Sequence, residues 1–151
     1  MKTIKLKNKF MVVVFTLLKE AKLKNQASRG RNKFLKRLEE KNKEFNDELT
    51  EIRKDYFQVD EEGNLKTEND RFIFKDEVSD EAKTEMNDRL KALEDEEFEV
   101  SFAEHSTKYE SLFSALSHLD EELSGDKAVA YDELMDAYEA NNTDEENNGT
   151  R

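Results

Sequence analysis

His105 and His118 are the only histidines in the chain, and histidine is the side chain that most often carries protons in catalysis near neutral pH. His118 and Glu122 stand four residues apart, a helical spacing that would place two metal ligands on one face. A zinc site needs three or four ligands and no second cluster accompanies this pair, so His118 reads as a surface residue opposite Leu112, Leu116 and Leu123. His105 falls where a strand meets a helix. No Gly-x-Ser-x-Gly elbow and no acidic orienter marks a triad there, so it reads as structural. The 37 Asp and Glu are too numerous for any pair to be singled out as acid and base. Gly30, Gly63, Gly125 and Gly149 are scattered, which excludes a glycine-rich phosphate loop. With no Cys there is neither a thiolate nucleophile nor a disulfide framework. No catalytic, metal or cofactor residue is assigned, and the chain reads as non-enzymatic.

Charge offers recognition instead. Up to Arg37 there are 12 Lys and Arg against the single acid Glu20; from Leu38 onward there are 13 bases against 36 acids. The net charge of −12 therefore hides a strong dipole along the chain. Arg29, Arg31, Lys33, Lys36 and Arg37 form a basic cluster of the kind that binds phosphate backbones through counterion release. The overall negative charge weighs against nucleic acid, because the acidic part is able to neutralise this patch internally. The acids suggest a second possibility. Glu81, Asp88 and Asp95 on one predicted helix, and Asp132, Glu133, Asp136 and Glu139 on another, lie opposite the apolar faces. Carboxylates three or four residues apart on a helix are roughly 5 to 6 Å from one another, close to phosphate spacing, and would compete with nucleic acid for a basic groove. Solvated helix faces give the same pattern.

These groups need a scaffold, and the pattern predicts a mostly α fold with a small β element (α+β). Proline is absent and 41% of residues are charged, which leaves long helices uninterrupted. "TIKLK" alternates as a strand. Asn8 is expected to cap a first helix with the stripe Phe10, Val14, Leu17, Leu18 and Ala21. A second helix, about 27 to 57, carries Leu35, Leu38, Asn42, Phe45, Leu49, Ile52 and Tyr56 at alternating spacings of three and four, a heptad seam with one polar residue. Its mate is a helix over about 79 to 97, capped by Ser79, with Ala82, Met86, Leu90 and Leu93 on one face. The two form a long helical hairpin with a β-hairpin at its tip, turning at Gly63 and Asn64. "FEVSF" pairs with the first strand in a small two-stranded sheet. A capping box of Thr107 and Glu110 opens a helix burying Tyr109, Leu112, Phe113, Leu116, Leu119 and Leu123. The last helix, from Asp126 to Glu139, turns Ala128, Tyr131, Leu134, Met135 and Tyr138 inward and completes a C-terminal helix pair. Residues 1–140 read as one folded domain and 141–151 as a disordered polar tail.

The run from Phe10 to Leu18 follows a basic start, as in a signal peptide, but its 9 residues are too few to span a bilayer and no small-x-small site follows. A buried helix in a cytoplasmic protein is the expectation, with no membrane partner.

"IKLKN", "ASRGRNKFLKRLEEK", the "DEEGN" turn followed by "FIFKDE", the "EFEVSF" strand and the closing "LSGDKAVAYDELMDAYE" together resemble a family of small uncharacterised proteins from phages and prophages of Gram-positive bacteria. The resemblance extends to about Ala140; the run "FMVVVF" is more apolar than that group's pattern. It implies a phage or prophage origin and no nameable enzymatic activity, and it carries over no catalytic residue; the absence of Cys fits the reducing cytoplasm of a host cell. With the charge pattern, it leads to an expected interaction protein whose partner is a host or phage protein, such as a basic nucleic-acid-handling defence enzyme that it would inhibit. Two alternatives stand beside it: a virion or tail assembly component that oligomerises through the heptad helix, as a homodimer for instance, and a nucleic-acid binder using residues 22–37.

Overall fold

A computed structural model describes residues 2–149 of the chain, with side chains for 2–141. The mostly α architecture with a small β element is the one observed: five helices and two antiparallel two-stranded sheets among the described residues. The elements run β1 (Thr3–Lys7), a 3-10 turn (Asn8–Phe10), α1 (Met11–Glu20), α2 (Asn25–Lys54), β2 (Thr67–Glu68), β3 (Arg71–Phe72), α3 (Asp80–Asp95), β4 (Glu97–Ser101), α4 (Ser106–Ser117) and α5 (Gly125–Gly149). Where the sequence suggests one domain over 1–140, packing divides the chain into two compact units, residues 1–42 with 97–151 and residues 43–96. The tail expected over 141–151 falls largely on residues whose side chains lie outside those described.

In the first unit β1 and β4 pair antiparallel, with Ile4 opposite Val100 and Leu6 opposite Phe98. All four are buried while Lys5, Lys7, Glu97 and Glu99 alternate outward, the period-two signature of a sheet covered on one face. α5 packs against β1 and α1. Met11, Val14, Leu17 and Leu18 of α1, and Ala130 and Leu134 of α5, supply core side chains. An aromatic cluster fills the rest. Phe34 meets Tyr109 edge-on at 5.5 Å and Phe113 at 6.0 Å, while Phe113 stacks on Tyr138 at 4.5 Å. Such pairs add about 0.5 to 1.5 kcal/mol each beyond area burial. The Tyr131 hydroxyl donates to the Leu116 carbonyl at 2.7 Å, tying α5 to α4.

Four local expectations are corrected here. The buried stripe at the start of α2 is Ala27, Gly30, Phe34 and Leu38 rather than one running through Leu35, because Gly30 lets α2 approach the α4 backbone so closely that its neighbours on that face turn inward. A Cβ at position 30 would lie under 3.0 Å from the carbonyl carbon and oxygen of Lys108. The capping box does not form: His105 is the α4 N-cap, no side chain caps it, and Glu110 instead accepts from Lys2 and from the Tyr138 hydroxyl. Phe10, not Asn8, is the N-cap of α1, because a 3-10 turn precedes that helix. α4 ends at Ser117, so Leu119 and Leu123 lie beyond it, half-buried.

The second unit pairs the end of α2 with α3 through a core of Tyr56, Phe57 and Met86, against which Ile52, Leu65, Phe74, Val78, Ala82 and Leu90 pack. Ser79 caps α3 as expected, its Oγ accepting from the Ala82 N–H at 3.1 Å. The connecting segment makes two tight turns rather than one. The Asp60 carboxylate accepts from the N–H groups of Glu62 and Asn64, both at 2.9 Å, and Gly63 takes φ +85°; this is the expected turn. The second lies at Asn69 and Asp70, with φ of 54° and 63°, the left-handed pair that a two-residue hairpin loop requires and that Asn and Asp tolerate. Phe57 pairs opposite Phe74, their rings stacked at 4.5 Å.

Candidate functional site

The sequence dipole folds back on itself in the first unit. Residues 1–42 carry 13 bases against 3 acids and residues 97–151 carry 15 acids against 3 bases, so this unit is nearly neutral at −2. Cross-segment pairs follow: Lys2 with Glu110, Lys5 with Glu99 at 3.6 Å, Arg37 with Glu104 at 3.1 Å and Lys127 with Glu20. The second unit has no such complement. Its 19 acids against 9 bases give −10 within 54 residues, so most of the net charge of the protein sits there.

That partition sorts the candidate acidic face. On α3, Glu81 and Asp88 are exposed and Asp95 is half-buried. Asp80 and Glu81 also lie in the first turn, where the helix dipole favours negative charge. On α5, in the other unit, Asp132, Asp136 and Glu139 are exposed and Glu133 is half-buried. Glu133 and Asp136 line a cleft together with Lys5, Lys7 and Lys9, so half of the α5 set already faces lysines. The unit with uncompensated charge carries the α3 set.

The basic segment is similarly divided. Arg31 donates to the Ala21 carbonyl and to Ser28 Oγ at 3.2 Å, closing the link between α1 and α2. Arg37 sits between Glu40 and Glu104, each at 3.1 Å, and its hydrogen bond to Glu40 is the main reason its pKa is raised. Arg29 and Lys36 are exposed and Lys33 is half-buried. Phe34, the aromatic residue inside this segment, is fully buried and offers no ring for a base to stack on.

The histidines have no catalytic company. His118 is the exposed C-cap of α4 with Nδ1 2.9 Å from the Ser114 carbonyl, and since α4 ends before it, His118 and Glu122 do not share a helix face. His105 packs edge-on to Tyr109 at 5.7 Å. Among the described residues no group of three or more His, Asp or Glu is placed to hold a metal ion, and no helix is long and apolar enough to cross a membrane.

One surface escapes the charge argument. Met11, Val12 and Phe15 of α1 and Leu38, Glu39 and Asn42 of α2 line an apolar cleft of about 200 Å³. Val12 stands 63% exposed at its edge. The heptad reading of α2 contained Leu38 and Asn42 but gave no sign of Val12, whose place in "MVVVF" looks like uniform core.

A protein-family model described as "Protein of unknown function (DUF1617)" matches residues 1–145. Neither the curated proteins nor the solved structures give a match. With nearly its whole length covered by that model, the chain belongs to the uncharacterised family DUF1617.

Proposed function

We propose that this chain is a non-enzymatic, phage-encoded interaction protein that acts in the bacterial cytoplasm by docking its acidic second unit on a basic, nucleic-acid-binding surface of a host or phage protein. The observation that carries the reading is the charge partition: −10 on residues 43–96 against −2 on the rest. Acids left uncompensated in one small unit raise the local negative potential, which steers a cationic partner and fixes orientation more than it adds affinity. Glu81 and Asp88, exposed on α3 and seven residues apart, present carboxylates along one helix side in place of phosphates. Inhibition of a nucleic-acid-handling defence enzyme follows if that partner uses the same groove for its substrate. The phage origin rests on the sequence resemblance. Direct nucleic-acid binding through residues 22–37 is the weaker reading, because Arg31 and Arg37 are engaged within the fold.

The test is affinity capture from host lysate with quantitative mass spectrometry, comparing the wild type with E81K/D88K at low and high salt. Proteins that bind nucleic acid should be enriched by the wild type at low salt and fall at least tenfold with the variant or with salt, since exposed charges are screened. A set of captured proteins indifferent to both changes rules the reading out.

A further inference from the structure

The cleft between α1 and α2 lies on the nearly neutral unit, and we propose that it is the interface between two copies of this chain. The face has both a knob and a hole. Val12 projects at 63% exposure beside a recess floored by Met11, Phe15 and Leu38, and a closed two-fold pair requires a surface that carries both halves of its own complement. Each Val12 enters the recess of the other copy.

Two observations favour a second copy over a foreign occupant. The first is Asn42. It is half-buried in the wall of the recess, four residues after Leu38 on the same side of α2. On the two-fold axis it would pair with its symmetry mate, as a single Asn does in a coiled-coil seam, where it fixes register and stoichiometry at some loss of stability. The second is charge at the rim. Lys19 follows Val12 by seven residues, on the same face of α1, and both Lys19 and the cleft residue Glu39 are exposed. In a two-fold arrangement with α1 of one copy over α2 of the other, each Lys19 meets the partner's Glu39, a pair that a two-fold axis duplicates. Residues 142–151 are no alternative occupant, since they contain no apolar side chain.

The partner class here differs from that of the acidic unit, and so does the salt response. Self-association through apolar contact persists in high salt, whereas capture by the acidic unit is lost. Light scattering over a wide concentration range should give twice the 17.7 kDa chain mass for the wild type and a single-chain mass for V12D, with unchanged circular dichroism because Val12 is exposed. K19E should weaken association at least tenfold and K19E/E39K should restore it. The protein has no cysteine, so V12C gives a clean crosslinking probe: mild oxidation should yield a disulfide dimer, while V129C, exposed on α5, should not. A wild type of single-chain mass at every concentration overturns the proposal, as does V129C crosslinking as fast as V12C.

Discussion

The two units solve the same problem, too little apolar sequence, in opposite ways. The first brings +10 from residues 1–42 against −12 from residues 97–151, and its segments pack around an aromatic centre of Phe34, Phe102, Tyr109 and Phe113, each fully buried, with cross-segment ion pairs of which Lys2 with Glu110 is the least exposed. The second tolerates −10, and the nearly buried side chains of its hydrophobic cluster are Tyr56, Phe57 and Met86. Its ion pairs of Arg89 with Asp55 at 2.9 Å, Lys54 with Glu51 at 3.5 Å and Lys83 with Asp80 at 4.0 Å are surface-exposed, and such pairs contribute about 0 to 1 kcal/mol. Arg89 is held charged first by the Tyr56 hydroxyl and then by Asp55. The comparison teaches where repulsion is left unrelieved: a unit that keeps an excess of like charge gives up stability that compensation within the fold would have supplied. That excess lies on the unit proposed to meet a partner.

The largest expected effect tests the tightly packed unit. Gly30→Ala puts a Cβ within 3.0 Å of the Lys108 carbonyl group, and backbone cannot rotate away as a long side chain would. α2 and α4 must separate, which opens the Phe34 to Tyr109 and Phe34 to Phe113 contacts. Overpacking of this kind costs typically 1 to 3 kcal/mol, and a backbone clash places this case near the upper end, at about 3 kcal/mol. Urea denaturation should show the loss. A change below about 0.5 kcal/mol would mean that α2 and α4 are less closely apposed than described.

A smaller effect belongs to the acidic unit. Ser79→Ala removes the hydroxyl that accepts from Ala82 N–H, and N-cap losses of this sort cost about 1 kcal/mol, with Gly costing only a few tenths. Hydrogen exchange should speed up in the first turn of α3 for Ala more than for Gly. Equal rates for both variants would show that the dipole interaction of Asp80 and Glu81, rather than the cap, holds that turn.

This cap was readable in the sequence because it depends on one residue and its next three neighbours. So were the strand pairing, through the alternation of Ile4 and Leu6 with Phe98 and Val100, and the inward face of Ala82, Met86 and Leu90 on α3, although of the α2 seam only Ile52 packs with it. Local pattern failed where distant backbone intervened. The heptad spacing pointed to Leu35, while the close approach of Lys108 to Gly30 turned Phe34 to the centre, and nothing within α2 announces a carbonyl 78 positions away in sequence. The hairpin at Asn69 and Asp70 was missed for a different reason: the stronger Asp-Glu-Glu-Gly-Asn signal at Asp60 to Asn64 satisfied the expectation of one turn. Of the candidate site, the residue types were visible, but their division between a compensated and an uncompensated unit was not, because compensation requires knowing that residues 97–151 fold against residues 1–42.

Tyr109 gives the smallest effect at neutral pH and the one most specific to the compensated unit. Its ring is fully buried, and its hydroxyl finds no acceptor for its proton among the described residues, with the Arg37 guanidinium nearby. Burial raises its pKa above the ordinary 10.0, with Arg37 acting in the opposite direction but losing. The phenol is therefore neutral in the fold at any pH where the unfolded chain is neutral, and below pH 10 it contributes no pH dependence. Above that value the unfolded chain ionises first, so stability falls as pH rises from the unfolded pKa through the folded one. Tyr109→Phe removes the hydroxyl and keeps the ring against Phe34 and Phe102. An unsatisfied buried donor is unfavourable, so the variant should be unchanged or more stable by up to about 1 kcal/mol at pH 7, and its stability should lose less between pH 10 and 11.5 than that of the wild type. Denaturation curves at both pH values measure this directly. A wild type and variant that decline in parallel above pH 10 would mean that the phenolate is accommodated in place, with the Arg37 guanidinium, rather than burial, setting the charge state of this core.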